Sequence, residues 1–247
     1  MSVAAGAFVL LATFVTAAVS GVLGMAGGLL LMGALLLVLP AAVAFVVHGL
    51  LQLVSNGWRA FLQRPHVRWR TVGAYAVGAL AAAVAVSLVS YAPSRALTFL
   101  LLGLVPGLVW LPRGWLRFDA SRPLHAAIAG LAVTALNLVA GVAGPLLDVF
   151  FVRADMSRHQ VVATKAATQV LSHLAKVVVY GSLAVSGDST LPYALLLLAV
   201  PLSMLGTLVG SRLLDRMTDA SFTTTTRWVV TGIGVAYLVQ AALLAAA

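Results

Sequence analysis

The chain has 247 residues, of which 62% are hydrophobic and 9% are charged, and its mean hydropathy is +1.08. A soluble domain is usually less than half apolar and about a quarter charged, so these proportions argue against a soluble enzyme and against a disordered or fibrous chain. The 15 Lys and Arg exceed the six Asp and Glu, but they fall mostly between apolar runs. Cytoplasmic loops of membrane proteins show this distribution, and a nucleic-acid partner is not indicated. With no cysteine, disulfides and thiolate metal sites are excluded.

Ten apolar segments follow one another along the chain. Eight are long enough to cross a hydrocarbon core, which takes about 17 to 25 residues. These eight cover residues 3–20, 41–63, 71–90, 95–112, 123–140, 159–185, 191–211 and 223–246. Two shorter segments, 28–40 and 145–153, each follow a glycine-rich break, at 21–28 and 141–145. The pattern predicts an all-α integral membrane protein with eight long transmembrane helices and two short helices after the breaks.

The two halves of the chain contain similar sequence features in the same order. The glycine breaks begin at residues 21 and 141, and the run from His48 to Arg59 aligns without gaps on the run from Lys165 to Lys176. Gln and Ser are identical in the two runs, and a basic residue ends both. Self-similarity of this kind indicates an internal repeat. We expect one transport domain made of two five-segment halves, residues 1–116 and 117–247.

The distribution of arginine predicts the orientation of these halves. Arginines occupy four connections, at 64–70, 113–122, 153–158 and 212–216. If the two short segments count as crossings, all four connections lie on one side, which the positive-inside rule places in the cytoplasm. If they are re-entrant loops instead, the alternation after them is broken. The first interpretation fits the rule better; it makes the two halves inverted and puts both termini outside the cytoplasm.

A stripe of polar residues is duplicated in the two halves. Spacings of four, three and four residues put each stripe on one helical face. The stripes consist of His48, Gln52, Ser55 and Arg59, and of Lys165, Gln169, Ser172 and Lys176. Asn56 and His173 occupy equivalent positions in the alignment and are further candidates. Polar and charged groups within hydrocarbon are costly and usually functional, so the stripes predict a cationic cavity for a small anion. Snorkelling of Arg59 and ordinary hydrogen bonds between helices are the alternatives.

The glycine breaks are the second candidate feature. Irregular backbone is tolerated in a membrane where it lines a cavity, and the start of the following helix offers free N–H groups to an anion. The candidates here are Gly24, Gly27, Gly28, Gly141 and Gly144. Close packing of helices is the alternative. Asn137 is expected either to line the site or to make a packing hydrogen bond, and Asp148 either to carry a proton or to pair with Lys165 or Lys176.

The sequence contains no pattern for catalysis or for a cofactor. The five His are scattered, Glu is absent and no GxSxG motif occurs, so neither a metal site nor a hydrolase is indicated. A non-enzymatic carrier is expected. The rivals are an anion channel and, less favoured, a membrane-embedded enzyme. A structural role would explain the apolar bulk but not the duplicated stripes.

On these residues the chain resembles the sulfite exporter TauE/SafE family. The similarity rests on the 21–28 break followed by Pro40, on Val-Val-Ala-Thr-Lys at 161–165 and on the duplicated Gln/Ser helices. The second break, with Pro145, is poorer in glycine than the family pattern. The resemblance implies a multi-pass carrier of the bacterial inner membrane that exports small sulfur oxyanions, such as sulfite, or organosulfonates. A proton on His48 or His173, or the membrane potential alone, would drive it.

Overall fold

The computed structural model describes residues 2–23, 25–89, 91–111, 118–151, 154–186, 193–214 and 219–246, and these contain helices but no strand. The α-helices, in chain order, are α1 (Val3–Leu23), α2 (Met25–Val38), α3 (Ala41–Leu62), α4 (Trp69–Val89), α5 (Arg95–Leu104), α6 (Pro123–Ala140), α7 (Gly144–Phe151), α8 (Arg158–Ser186), α9 (Tyr193–Leu214) and α10 (Asp219–Ala246). Short 3₁₀ helices occupy Arg64–His66 and Val105–Trp110. The expectation of an all-helical chain is confirmed for the described residues.

Six described helices are long and apolar enough to cross a membrane, namely α1, α3, α4, α6, α9 and α10. Helix α8 is longer still, at 29 residues, but it carries the lysines of the second stripe. The predicted long helix at 95–112 differs from the structure. There, ten α-helical residues are followed by six in a 3₁₀ helix that contains Pro106. Proline has no N–H to donate to the preceding turn, which explains why the α-helix does not continue.

The two short helices are too short to span a membrane alone. At 1.5 Å per residue, α2 is about 21 Å long and α7 about 12 Å, against a hydrocarbon core of about 30 Å. Helix α2 folds back along α1, and the two helices are in close contact. A Cβ on Gly27 would meet the backbone of Thr16 and of Ser20. Helix α7 begins at Gly144 with Pro145 in its first turn, where proline is favoured because it needs no N–H partner there.

Two pairs of helices cross with their backbones in contact. In the α1–α9 pair, a Cβ on Gly21 would lie 2.7 Å from the Cα of Gly210. In the α4–α6 pair, a Cβ on Gly78 would meet the carbonyl of Ala127, and one on Gly130 would meet that of Tyr75. Small residues permit this approach, which replaces hydrophobic burial as the source of helix association in lipid.

Helices α3 and α8 pack against each other in the middle of the fold and run antiparallel. Gly49 lies beside Val177, and Gly57, two turns further along α3, lies beside Val170. The stripe of α3 is buried, and so are Ser172 and Lys176 of the stripe on α8. Apolar side chains fill the space on either side. The largest cluster centres on α2 and α3 and a second on α4, α6 and α7, and a small third one joins Val67 to Ala163 and Ala167.

Candidate functional site

A chain of hydrogen bonds connects the two glycine breaks through His48 and Lys176. The Nε2 atom of His48 lies 3.0 Å from the carbonyl oxygen of Gly28. A carbonyl only accepts, so Nε2 carries the hydrogen and Nδ1 is left as an acceptor. The Nζ atom of Lys176 donates to this Nδ1 at 3.0 Å and to the carbonyl oxygen of Gly141 at 2.5 Å. Each break therefore supplies one carbonyl to the same pair of side chains.

Gly141 is suited to its place at the end of α6. Its φ is +83°, in the left-handed region that glycine enters without strain. Its N–H donates back to the carbonyl of Asn137, which closes the last turn of α6. The turn directs the Gly141 carbonyl toward Lys176 on α8. The local preference of one glycine thus fixes an acceptor for the buried lysine.

A small cavity lies beside this connection. The space open to the centre of a water-sized sphere is about 20 Å³, more than the roughly 10 to 15 Å³ that one water needs. Eight of the predicted site residues line it, namely Gly28, His48, Gln52, Asn137, Gly144, Gln169, Ser172 and His173. Both breaks and both stripes are therefore represented in one cavity wall.

The orientation of Gln52 in the wall is fixed by Asn56. The Nδ2 atom of Asn56 donates to the backbone carbonyl of Gln52 and to its side-chain Oε1, both at 3.0 Å. The backbone carbonyl can only accept, so the Asn56 amide cannot be turned around. The Oε1 of Gln52 is thereby the acceptor, and its Nε2 faces Gly28. Gln52 presents a hydrogen-bond donor toward the break.

Ser172 joins three helices on the other side of the cavity. Its hydroxyl lies 2.7 Å from the hydroxyl of Tyr75 on α4 and 2.8 Å from that of Thr134 on α6. Its backbone carbonyl accepts from Asn137 Nδ2 at 3.1 Å. The equivalent residue Ser55 lies outside the cavity wall and bonds to Thr207 on α9 at 2.9 Å. The two serines therefore tie the central helices to different partners.

The three basic residues of the stripes lie behind the cavity wall rather than in it. Arg59, which is 8% exposed, donates to the hydroxyl of Ser20 at 3.4 Å. Lys176 contacts the wall through His48. Lys165 forms an ion pair with Asp148, so of the two partners expected for this carboxylate the structure selects Lys165. A direct contact between these cations and a substrate remains a prediction.

The remaining predicted residues are placed elsewhere. Gly27 packs against α1, and Gly24 lies outside the described residues. Sequence reasoning missed Ser20, which lines the cavity, and the hydroxyls of Tyr75 and Thr134 behind it. Thr13, Thr16 and Ser20 are spaced by three and four residues, and Thr134 lies three residues before Asn137. The helical period that marked the stripes could therefore have found Ser20 and Thr134 as well. Among the described residues, no three His, Cys, Asp or Glu come together as metal ligands.

The family model described as sulfite exporter TauE/SafE matches residues 9–237. The chain belongs to this family. The resemblance seen in the sequence is thereby confirmed, and the protein is a multi-pass membrane protein of a transporter family. The match covers both glycine breaks and every residue that lines the cavity. No curated protein and no solved structure matches the chain.

Proposed function

We propose that this TauE/SafE protein exports a small anion, sulfite or an organosulfonate, by alternating access around the central cavity. The observation that carries the proposal is the pair of buried basic residues behind the wall. Lys176 is fully buried and Arg59 nearly so, and within the described part of the chain neither forms a salt bridge. A guanidinium is always charged in proteins. A buried cation without a carboxylate partner is costly, and an anion in the cavity would offset that cost.

The second break supports the same ligand. Gly144 lines the cavity and is the first residue of α7. The N–H groups in the first turn of a helix have no partner in the helix, and the helix dipole favours negative charge there. An anion beside Gly144 would meet these groups, with the Gln52 donor on the side of the first break. Broken helices hold anions in this way in transporters with inverted repeats.

We further propose that the two halves are inverted repeats, as rocking of one half against the other requires. The pairing of helices supports this: the first helix of one half packs on the fourth helix of the other, since α1 contacts α9 and α6 contacts α4. The central helices α3 and α8 are antiparallel. The short helices also end at different places. The carbonyl of Leu39, just after α2, accepts from Arg95, whereas the carbonyl of Phe150, in the last turn of α7, accepts from the N–H of Ala120.

Hydrogen bonds near the basic connections support a cytoplasmic position for them. Thr71 donates to the carbonyl of Ala120, and the N–H of Arg68 donates to Thr164. The connections at 64–70, 118–122 and 154–158 therefore gather at one end of the bundle. The positive-inside rule places that end in the cytoplasm of a bacterial cell, with both termini outside. We propose the inner membrane as its location on the same ground.

His48 and His173 are the candidates for proton coupling. Their rings lie 5.5 Å apart at the cavity. A proton on His48 Nδ1 would remove the acceptor that Lys176 uses and set two positive groups against each other. Protonation would thus release the connection between the two breaks. Efflux driven by the membrane potential alone is the alternative.

Flux of labelled sulfite from proteoliposomes tests the proposal. The parent, Lys176→Met, Gln52→Leu and a control, Gln240→Leu on α10, are reconstituted at equal folded amounts, and a panel of carboxylates is run beside the sulfur oxyanions. We expect saturable sulfite flux that falls at least about tenfold in the two site variants and is unchanged in the control. Both site variants transporting like the parent would refute the site. Flux without saturation would indicate a channel, and chemically altered sulfite an enzyme.

A further inference from the structure

The side-chain amide of Asn137 is fixed in one orientation at the cavity. Its Nδ2 donates to the carbonyl of Ser172 at 3.1 Å, and a carbonyl only accepts, so the amide cannot be turned around. Asn137 is 2% exposed and lines the cavity, and its Oδ1 has no hydrogen-bond partner in the part of the chain that the structure describes. A buried acceptor left without a donor is destabilising.

A fixed acceptor, the buried Oδ1 of Asn137, therefore accompanies a fixed donor at this cavity. Asn56 holds Gln52 so that its Nε2 is the donor. His173 is 6% exposed, and its Nδ1 is also without a partner among the described residues. A cavity built only to hold a fully deprotonated anion would turn donors inward. An acceptor without a donor at Asn137 favours a ligand that brings a hydrogen of its own.

We propose, on the basis of the transport function above, that the substrate binds as a singly charged oxyanion that keeps a hydrogen-bond donor. Hydrogensulfite is the form of sulfite that meets this description. Its acidic hydrogen would bond to Asn137 Oδ1, while its oxygen atoms would accept from Gln52 Nε2. The sulfite dianion has only lone pairs, and it would bring them against the Asn137 oxygen. The site thus selects the protonation state of its substrate.

A matched pair of anions tests this inference. Methanesulfinate has a methyl group where the hydroxyl tautomer of hydrogensulfite has its OH, and both carry one negative charge. We expect methanesulfinate to compete with labelled sulfite at least about tenfold more weakly than unlabelled sulfite does, at a pH where hydrogensulfite predominates. At constant total sulfite, flux should fall as the pH rises and hydrogensulfite loses its proton.

Two variants separate the role of the acceptor from a structural role. Asn137→Leu removes Oδ1, and Thr134→Val removes a hydroxyl that bonds to the same Ser172 but is not in the cavity wall. We expect Asn137→Leu to lose the preference for sulfite over methanesulfinate, and Thr134→Val to retain it. The measurements on the parent protein stand even if Asn137→Leu does not fold.

The outcomes distinguish this inference from the transport function. Sulfite flux that methanesulfinate inhibits as well as sulfite does would overturn the inference alone and would indicate that water satisfies Asn137. Sulfite flux that rises with pH would overturn it as well. A parent protein that moves no sulfite at any pH would refute the proposed function, and the inference with it.

Discussion

Lys176 on α8 donates a hydrogen bond to Nδ1 of His48 on α3, with 3.0 Å between the two nitrogen atoms. The two residues lie 128 positions apart in the chain, one in each half. Because His48 also bonds to Gly28 and Lys176 to Gly141, the pair connects both breaks. Gly28 and His48 belong to one proposed half and Lys176 and Gly141 to the other, so rigid-body movement of one half against the other must break the bond between His48 and Lys176.

A double-mutant cycle measures this connection. We expect His48→Leu and Lys176→Met each to lower the free energy of unfolding by about 1 to 3 kcal/mol, because each leaves a buried polar group unpaired. The double variant should lose less free energy of unfolding than the two single variants lose together, by about 1 kcal/mol or more. Thermal unfolding in detergent gives the values. As a control, Thr207→Val lies in another hydrogen-bond pair, and its effect should add to that of His48→Leu. Additive effects for His48 and Lys176 would contradict the connection.

The glycine contacts between α4 and α6 predict a sharp dependence on side-chain size. We expect Gly78→Ala and Gly130→Ala to lower the melting temperature, because the added Cβ would overlap a backbone carbonyl of the other helix. Gly73→Ala is the matched control in α4, since nothing lies within 4 Å of its Cβ position. Its melting temperature should be unchanged or slightly raised. Equal effects at Gly73 and Gly78 would show that the helices do not cross this closely.

The ion pair of Lys165 and Asp148 predicts a rescue by charge exchange. Either Asp148→Asn or Lys165→Met leaves the other charge without its partner, and we expect sulfite flux and folded yield to fall. The exchange Asp148→Lys with Lys165→Asp should recover part of the loss. Asp119→Asn is the control, because its partner Arg122 is 73% exposed and 3.7 Å away, and an exposed pair is worth about 1 kcal/mol or less. If sulfite flux and folded yield in the exchanged variant are no higher than in both single variants, the ion pair is contradicted.

Reporter fusions test the orientation. A fluorescent protein inserted at His66 should fluoresce, because the positive-inside rule places this connection in the cytoplasm. A C-terminal fusion should be dark, and alkaline phosphatase at the same position should be active. A control insertion at the 91–94 connection, at the opposite end of α4, should behave like the C-terminal fusion. Fluorescence from the C-terminal fusion would reverse the orientation.

The sequence by itself determined the class of protein, most of the helix positions, the two breaks and the polar stripes, but not the end of the α-helix within 95–112. These are local properties: apolar composition, a helical period and clustered glycine depend only on residues near one another in the chain. The family resemblance also rested on local motifs, and the family match confirms it. The stripes and breaks are local patterns too, and half of the site residues that they predict line one cavity once the helices have packed.

Only the tertiary structure decided which polar groups meet. Lys176 bonds to His48 and Lys165 pairs with Asp148 because of the way α8 packs against α3 and α7. No local sequence pattern specifies how two helices cross. The acceptor at Asn137 likewise follows from a bond that its amide makes to another helix. The spacing of the stripes puts the basic residues on the same helical face as their Gln and Ser residues. Their position behind the cavity wall required the packed helices, because a buried side chain takes the direction in which it finds a partner.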